Sequence, residues 1–154
     1  MSDDLPARGG CNCGAVRYEL TAEPLTSYLC HCHLCQKRTG SAFSMSVVIP
    51  RGGLAVTAGE PERSERALPG GGANVSWACG QCHSRIWTET QGRPTANLRA
   101  GTLDDPSWIA PVAQFWTASA QPWAIQHCIL SYEEQPTDFR PLLDAWRTFR
   151  SARR

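Results

Sequence analysis

The chain has 154 residues, 15 Lys+Arg against 14 Asp+Glu for a formal net charge of +1, and 42% hydrophobic and 19% charged residues. This is the size of one ordinary domain, able to bury roughly two thirds of the surface its unfolded form exposes, and the composition excludes both a disordered chain and one that spans a membrane. The balanced charge supplies no field to hold a phosphate backbone or an anionic lipid surface, so neither nucleic acid nor membrane is an expected partner.

Residues 1–10 carry Asp3 and Asp4 and no apolar run, a start that reads as neither a secretory signal nor a transit peptide and so as a cytoplasmic protein. Short β-prone runs then follow one another: Ala15–Leu20, Phe43–Ile49, Leu54–Thr57, Val75–Ala78, Ile86–Thr88, Ala96–Ala100 and Gln114–Thr117. Gly, Pro and Asn separate them, and the tract Leu68–Ala73 is short enough to be a loop between strands. The pattern predicts a mainly β, antiparallel domain over 1–138. A helix is expected only at the end, in 139–154, where Phe139, Leu142, Leu143, Trp146 and Phe149 recur at three- and four-residue steps with Pro141 in the first turn. Arg140, Arg147, Arg150, Arg153 and Arg154 against Asp144 make this segment basic. Its apolar stripe is expected to cover the chain's own core or a second copy in a homodimer.

Eight cysteines are too few for a disulfide scaffold and too many for an ordinary reduced core. In a reducing cytosol, thiols clustered at short spacing bind metal or do redox chemistry. Seven fall in three clusters: Cys11 and Cys13; Cys30, Cys32 and Cys35; Cys79 and Cys82. A Cys-x-x-Cys turn offers two thiolates readily, whereas Cys-x-Cys in a straight strand holds its sulfurs too far apart for the ~3.8 Å edge of a zinc tetrahedron. The chain must therefore curl at Cys11–Cys13, and Gly9, Gly10 and Gly14 give it the freedom to do so.

Four thiolates from two distant turns, Cys11, Cys13, Cys79 and Cys82, close a structural zinc site. Cys30, Cys32 and Cys35 supply three ligands, the number that leaves zinc an open position for chemistry. A second closed zinc with His31 or His33 as fourth ligand, and a metal-free redox set, are the other readings of that cluster. Cys128 stands alone beside Ile129 and Leu130 and reads as a buried core thiol; His83 and His127 read as structural histidines.

The runs Gly10–Glu19, Cys30–Cys35 with Thr39-Gly40, Cys79–Cys82, and Gly101–Pro106 with Trp123 downstream together resemble the glutathione-dependent formaldehyde-activating enzyme family, over about Gly9–Trp123. The resemblance implies a β-tent fold of short antiparallel sheets clipped by zinc turns. It implies a structural zinc on Cys11, Cys13, Cys79 and Cys82 and a catalytic zinc on Cys30, Cys32 and Cys35, hence two Zn2+ per chain. It also implies a carbon-sulfur lyase that adds glutathione, a small-molecule thiol, to formaldehyde or a similar aldehyde, as an S-(hydroxymethyl)glutathione synthase does. The alternative is a zinc-stabilised protein-binding module without catalysis, since fold alone does not settle function. Three positions depart from the family's pattern: Gln36 stands where an Arg usually follows the third catalytic cysteine, His83 where Gly usually follows the second structural pair, and Gln114 where a His often precedes the aromatic pair Phe115-Trp116.

Overall fold

The computed structural model describes residues 4–153; Asp3 and Arg154, named above at the two chain ends, lie outside them. In chain order the elements are β1 (Ala7–Gly10), β2 (Arg17–Leu20), β3 (Thr26–Cys30), α1 (His33–Thr39), β4 (Ser44–Pro50), β5 (Leu54–Ala58), β6 (Pro61–Ala67), β7 (Ala73–Cys79), β8 (Arg85–Thr90), β9 (Thr95–Arg99), β10 (Ala113–Phe115), β11 (Leu130–Ser131) and α2 (Arg140–Ser151). The protein is mainly β, its described strands lying in one sheet of three and one of eight. No helix among the described residues is long and apolar enough to cross a membrane.

Two compact units share the chain. The first runs up to Pro24 and includes Val48–Trp108. In it β1, β2 and β5 form an antiparallel set, and β6 to β9 an antiparallel meander. Alternation along β2 buries Tyr18 and Leu20 and leaves Arg17 and Glu19 half-exposed, the period-2 signal of a strand with one face inward. Ile86 and Leu98 are fully buried, and Trp77 stacks on Trp87 across β7 and β8 at 5.3 Å between ring centroids.

The second unit comprises Leu25–Val47 and the chain from Ile109 onward. Its core is Ala113, Phe115 and Leu142, with Tyr28, Tyr132 and Phe139 packed against them; Tyr28 stacks on Phe115 at 4.3 Å. Leu142 and Trp146, one helical turn apart, are the buried residues of α2. The apolar stripe of α2 thus covers the core of its own unit.

The structure corrects several expectations. Not every strand pairs antiparallel: β10 runs parallel to both β3 and β11. A long connection separates β3 from β10, so no hairpin turn dictates their direction. A second helix, α1, follows Cys32, and it buries no residue, so no apolar stripe marks it in the sequence. Cys128 is exposed rather than a core thiol, because its segment, despite Ile129 and Leu130, forms no buried element. His83 and His127 are exposed too, and neither belongs to a group that could hold a metal ion.

Candidate metal centres

The first centre is built by two turns of the first unit. Cys11 leaves β1 and its N–H donates to the Val16 carbonyl (3.0 Å), while Gly14 N–H returns to the Cys11 carbonyl (3.1 Å). A Cβ on Gly10 would lie 2.4 Å from the Val16 carbonyl oxygen, and Gly14 has φ 81°, so glycine makes the curl that Cys-x-Cys requires. It brings Cys11 Sγ to 3.5 Å from Cys13 Sγ, near the edge of a metal tetrahedron. The second turn leaves β7 at Cys79, whose N–H donates to the Ser84 carbonyl (3.0 Å) and whose carbonyl accepts from His83 N–H (2.9 Å). Asn12 N–H donates to Ser84 Oγ (3.1 Å), joining the two turns, and Cys13 Sγ lies 3.7 Å from Cys79 Sγ. All four sulfurs fall within 4.8 Å of one another.

Hydrogen bonding divides these thiols. Ser84, through its hydroxyl and its N–H, draws the Cys82 thiol down to about 5. Burial opposes ionisation of Cys11, but the N–H of Val16, 3.2 Å from its sulfur, outweighs burial with the help of Cys13 and Cys79 and leaves the thiol below its usual value. At Cys13 the Ala15 N–H favours the thiolate, yet the neighbouring Cys11 and Cys82 prevail and push it up to about 11. The turns thus favour the thiolate at Cys11 and Cys82 and disfavour it at Cys13.

The second centre lies wholly in the second unit, at a strand end that runs into a helix. Cys30 is the last residue of β3 and pairs with Phe115 of β10, whose carbonyl accepts from His31 N–H (3.0 Å). Cys32 caps α1: its sulfur accepts from Cys35 N–H at 3.4 Å, and Gly40, at φ 64°, ends the helix by donating to the Gln36 carbonyl. Cys30 Sγ lies 3.5 Å from Cys32 Sγ, and with Cys35 the three sulfurs fall within 4.8 Å. Hydrogen bonding to Cys35 and burial push the Cys30 thiol up. Among the described residues these two sets, of four and three cysteines, are the groups that could hold a metal ion. Neither His31 nor His33 joins the second: His31 is fully buried against Gln114 and His33 is exposed.

Polar scaffolding around the second centre was not foreseen from the sequence. Gln36 Nε2 donates to the carbonyls of His31 (2.7 Å) and Ser119 (2.8 Å), and Ser119 Oγ donates to the same His31 carbonyl (3.1 Å). The backbone between Cys30 and Cys32 is therefore held from two sides. Gln114, fully buried, joins this scaffold through His31. Two of the three departures from the family pattern, Gln36 and Gln114, thus carry structure here. The third, His83, adopts φ 61°, the left-handed conformation that glycine takes without cost.

The model of the family described as "Glutathione-dependent formaldehyde-activating enzyme" matches residues 6–119. No curated protein matches the chain. A Rhodobacter sphaeroides protein of known crystal structure is similar with a TM-score of 0.51 and 17% sequence identity, over 81% of this chain and 98% of that one. At that identity the likeness shows a shared fold alone.

Proposed function

The chain belongs to the glutathione-dependent formaldehyde-activating enzyme family, and from that premise we propose that it is a zinc-dependent carbon-sulfur lyase of the S-(hydroxymethyl)glutathione synthase kind, joining a small thiol to formaldehyde or a similar aldehyde. The observation that carries this reading is the difference in donor number between the two centres. Cys11, Cys13, Cys79 and Cys82 offer four sulfurs at tetrahedral spacing, enough to close a structural site. Cys30, Cys32 and Cys35 offer three, the number that leaves a position for a substrate. An all-sulfur donor set suits zinc, and zinc held by these three cysteines would supply a Lewis acid that favours the thiolate of an incoming thiol near neutral pH.

The chain's own residues orient this chemistry. Cys30 is buried, while Cys32, which caps α1, and Cys35, which lies on it, are partly exposed. Gln36 and Ser119 fix the His31 carbonyl, and with it the spacing of Cys30 and Cys32. Lys37 and Arg38, in the last turn of α1, bring positive charge to the helix that carries Cys35, which suits a carboxylate-bearing thiol. In the reaction a carbon–sulfur bond forms, the carbonyl π bond opens, and the proton lost from sulfur ends on the former carbonyl oxygen. A reducing cytoplasm, which keeps the cysteines free for metal, suits this reading.

Exchange NMR at equilibrium tests the proposal, because the uncatalysed addition is itself rapid. Interconversion of glutathione, formaldehyde and adduct is expected to be faster with the wild-type protein than with Cys32→Ser. No acceleration with a range of thiols and aldehydes, by protein shown to carry two zincs, would favour a zinc-stabilised binding module instead.

A further inference from the structure

The strand β6, Pro61-Glu62-Arg63-Ser64-Glu65-Arg66-Ala67, ends the run β9-β8-β7-β6 and so presents a free edge. All of it but Pro61 is exposed. Backbone hydrogen bonds set which groups point outward. Leu68 N–H donates to the Gly72 carbonyl (3.0 Å) and Gln91 N–H to the Ala73 carbonyl (2.9 Å), so odd-numbered residues of β7 bond to β8 and even-numbered ones to β6. The N–H and C=O groups of Arg63, Glu65 and Ala67 therefore face the free edge. Pro61, which has no N–H to offer, closes the row at its start.

The charges along this edge form a palindrome. Antiparallel pairing with a second copy about a two-fold axis at Ser64 sets Glu62 opposite Arg66 of the copy, and Arg63 opposite Glu65 of the copy, with Ser64 facing its own equivalent. The outward backbone groups of Arg63 and Glu65 meet in that same register. Moving the axis to residue 63 sets Arg63 against Arg63, and moving it to residue 65 sets Glu65 against Glu65. A one-residue slip pairs outward groups with inward ones and brings Glu62 against Glu65 or Arg63 against Arg66. One register thus satisfies both backbone and charge, and like charges directly opposite oppose the rest. In the single chain Arg63 is bonded to Glu65 on the same face (2.5 Å), whereas Glu62 and Arg66 make no ion pair among the described residues.

We propose that β6 is an isologous dimerisation edge, on which a second copy of this chain adds its own β6 antiparallel about Ser64. Charged edge strands also serve to keep sheets apart, but a gatekeeping role asks only for charge, and not for a sequence whose charges complement themselves in one register. Seven residues of edge are a small contact beside the roughly 800 Å² per partner of a stable interface. The association is accordingly weak, reversible and sensitive to salt.

Sedimentation velocity of the full chain across a wide concentration range tests this. A monomer–dimer equilibrium is expected, shifted toward monomer by added salt. Arg63→Glu, which sets glutamate against Glu65 of the copy at two symmetric positions, should weaken association by about tenfold or more. Glu65→Arg should do the same independently, and the double exchange Arg63→Glu with Glu65→Arg should restore it. Both side chains are exposed, and unchanged circular dichroism and metal content report that the fold is intact. A chain that sediments as monomer at every concentration, a dimer indifferent to the single reversals, or a double exchange as weak as the single ones overturns the proposal.

Discussion

His31 Nε2 lies 3.2 Å from Gln114 Oε1, and both side chains are fully buried. The amide's orientation follows from its other partners. Gln114 Nε2 donates to the Gln126 carbonyl (2.6 Å) and to Ser131 Oγ (2.6 Å), and Gln114 Oε1 accepts from Gln126 N–H (3.1 Å). With the oxygen turned to His31, the imidazole must carry its proton on Nε2. One glutamine of β10 therefore holds the ring that sits between two cysteines of the second centre, as an outer partner fixes a ligand shell.

Gln114→Leu removes that amide and leaves His31 Nε2 and the two Gln126 backbone groups short of partners. A loss of about 2–3 kcal/mol in unfolding free energy is expected, with metal held at Cys30, Cys32 and Cys35 about 10–100-fold more weakly. Urea denaturation and chelator competition measure the two effects. Full retention of metal affinity would show that the ring does not position the cysteines.

The two centres should respond differently to loss of a ligand. Cys79→Ser breaks the clip that joins turns 66 positions apart in sequence at Cys13 and Cys79, so it should largely unfold the first unit. Cys32→Ser should leave a folded protein that holds about one metal ion fewer than the wild type. Elemental analysis and circular dichroism melts of both variants decide the matter, and equal loss of fold would make the second centre structural as well.

The two cysteine clusters that could hold a metal ion were legible in the sequence because donor number and spacing are local properties, and a Cys-x-Cys pair among glycines brings its sulfurs together only by curling. The helix α2 was legible for the same reason, since Leu142 and Trp146 advertise a buried stripe. What escaped is what depends on distant partners or lacks a pattern. His31 and Gln114 meet across 83 positions, and until that partner is seen a histidine between two cysteines remains one of the alternatives for a fourth ligand. The strand β6 has no apolar alternation and exists because β7 pairs with it along seven residues. Cys128 was misread because apolar neighbours suggested burial, whereas Leu130 beside it is itself 36% exposed.

Acid should weaken the tie between β2 and the stretch Gly101–Pro106. Arg17 Nη1 donates to Asp104 Oδ1 (3.0 Å) and Nη2 to Oδ2, and Tyr18 OH lies 2.8 Å from Thr102 Oγ1. Hydrogen bonding to Arg17 holds the Asp104 carboxyl below its usual value. A depressed carboxylate stabilises the fold above its unfolded pKa of about 3.9, and that contribution fades as pH falls toward the folded value. With the Asp104 side chain 48% exposed, solvent limits it to about 0.5 kcal/mol. The stability difference between wild type and Asp104→Asn, measured by urea unfolding, should be constant from pH 7 to 5 and shrink below about pH 4. A difference independent of pH would assign the effect to packing.

His83 provides the last test, and its sign runs against the usual expectation that a substitution destabilises. Its φ of 61° places a residue that bears a Cβ where the backbone crowds that atom, at a cost of roughly 1–2 kcal/mol. The side chain is exposed, so its removal forfeits little packing. Glycine relieves the crowding but gives back about 0.5–1 kcal/mol through the greater freedom of the unfolded chain. The net expectation for His83→Gly is stabilisation by up to about 1 kcal/mol, a rise of roughly 2–4 °C in Tm for a chain of this size. The gain should appear in the metal-loaded protein, where the turn from Cys79 to Ser84 is locked in its native shape. Differential scanning calorimetry of both proteins with metal bound gives the answer, and a lowered Tm would mean that the imidazole itself supports the turn.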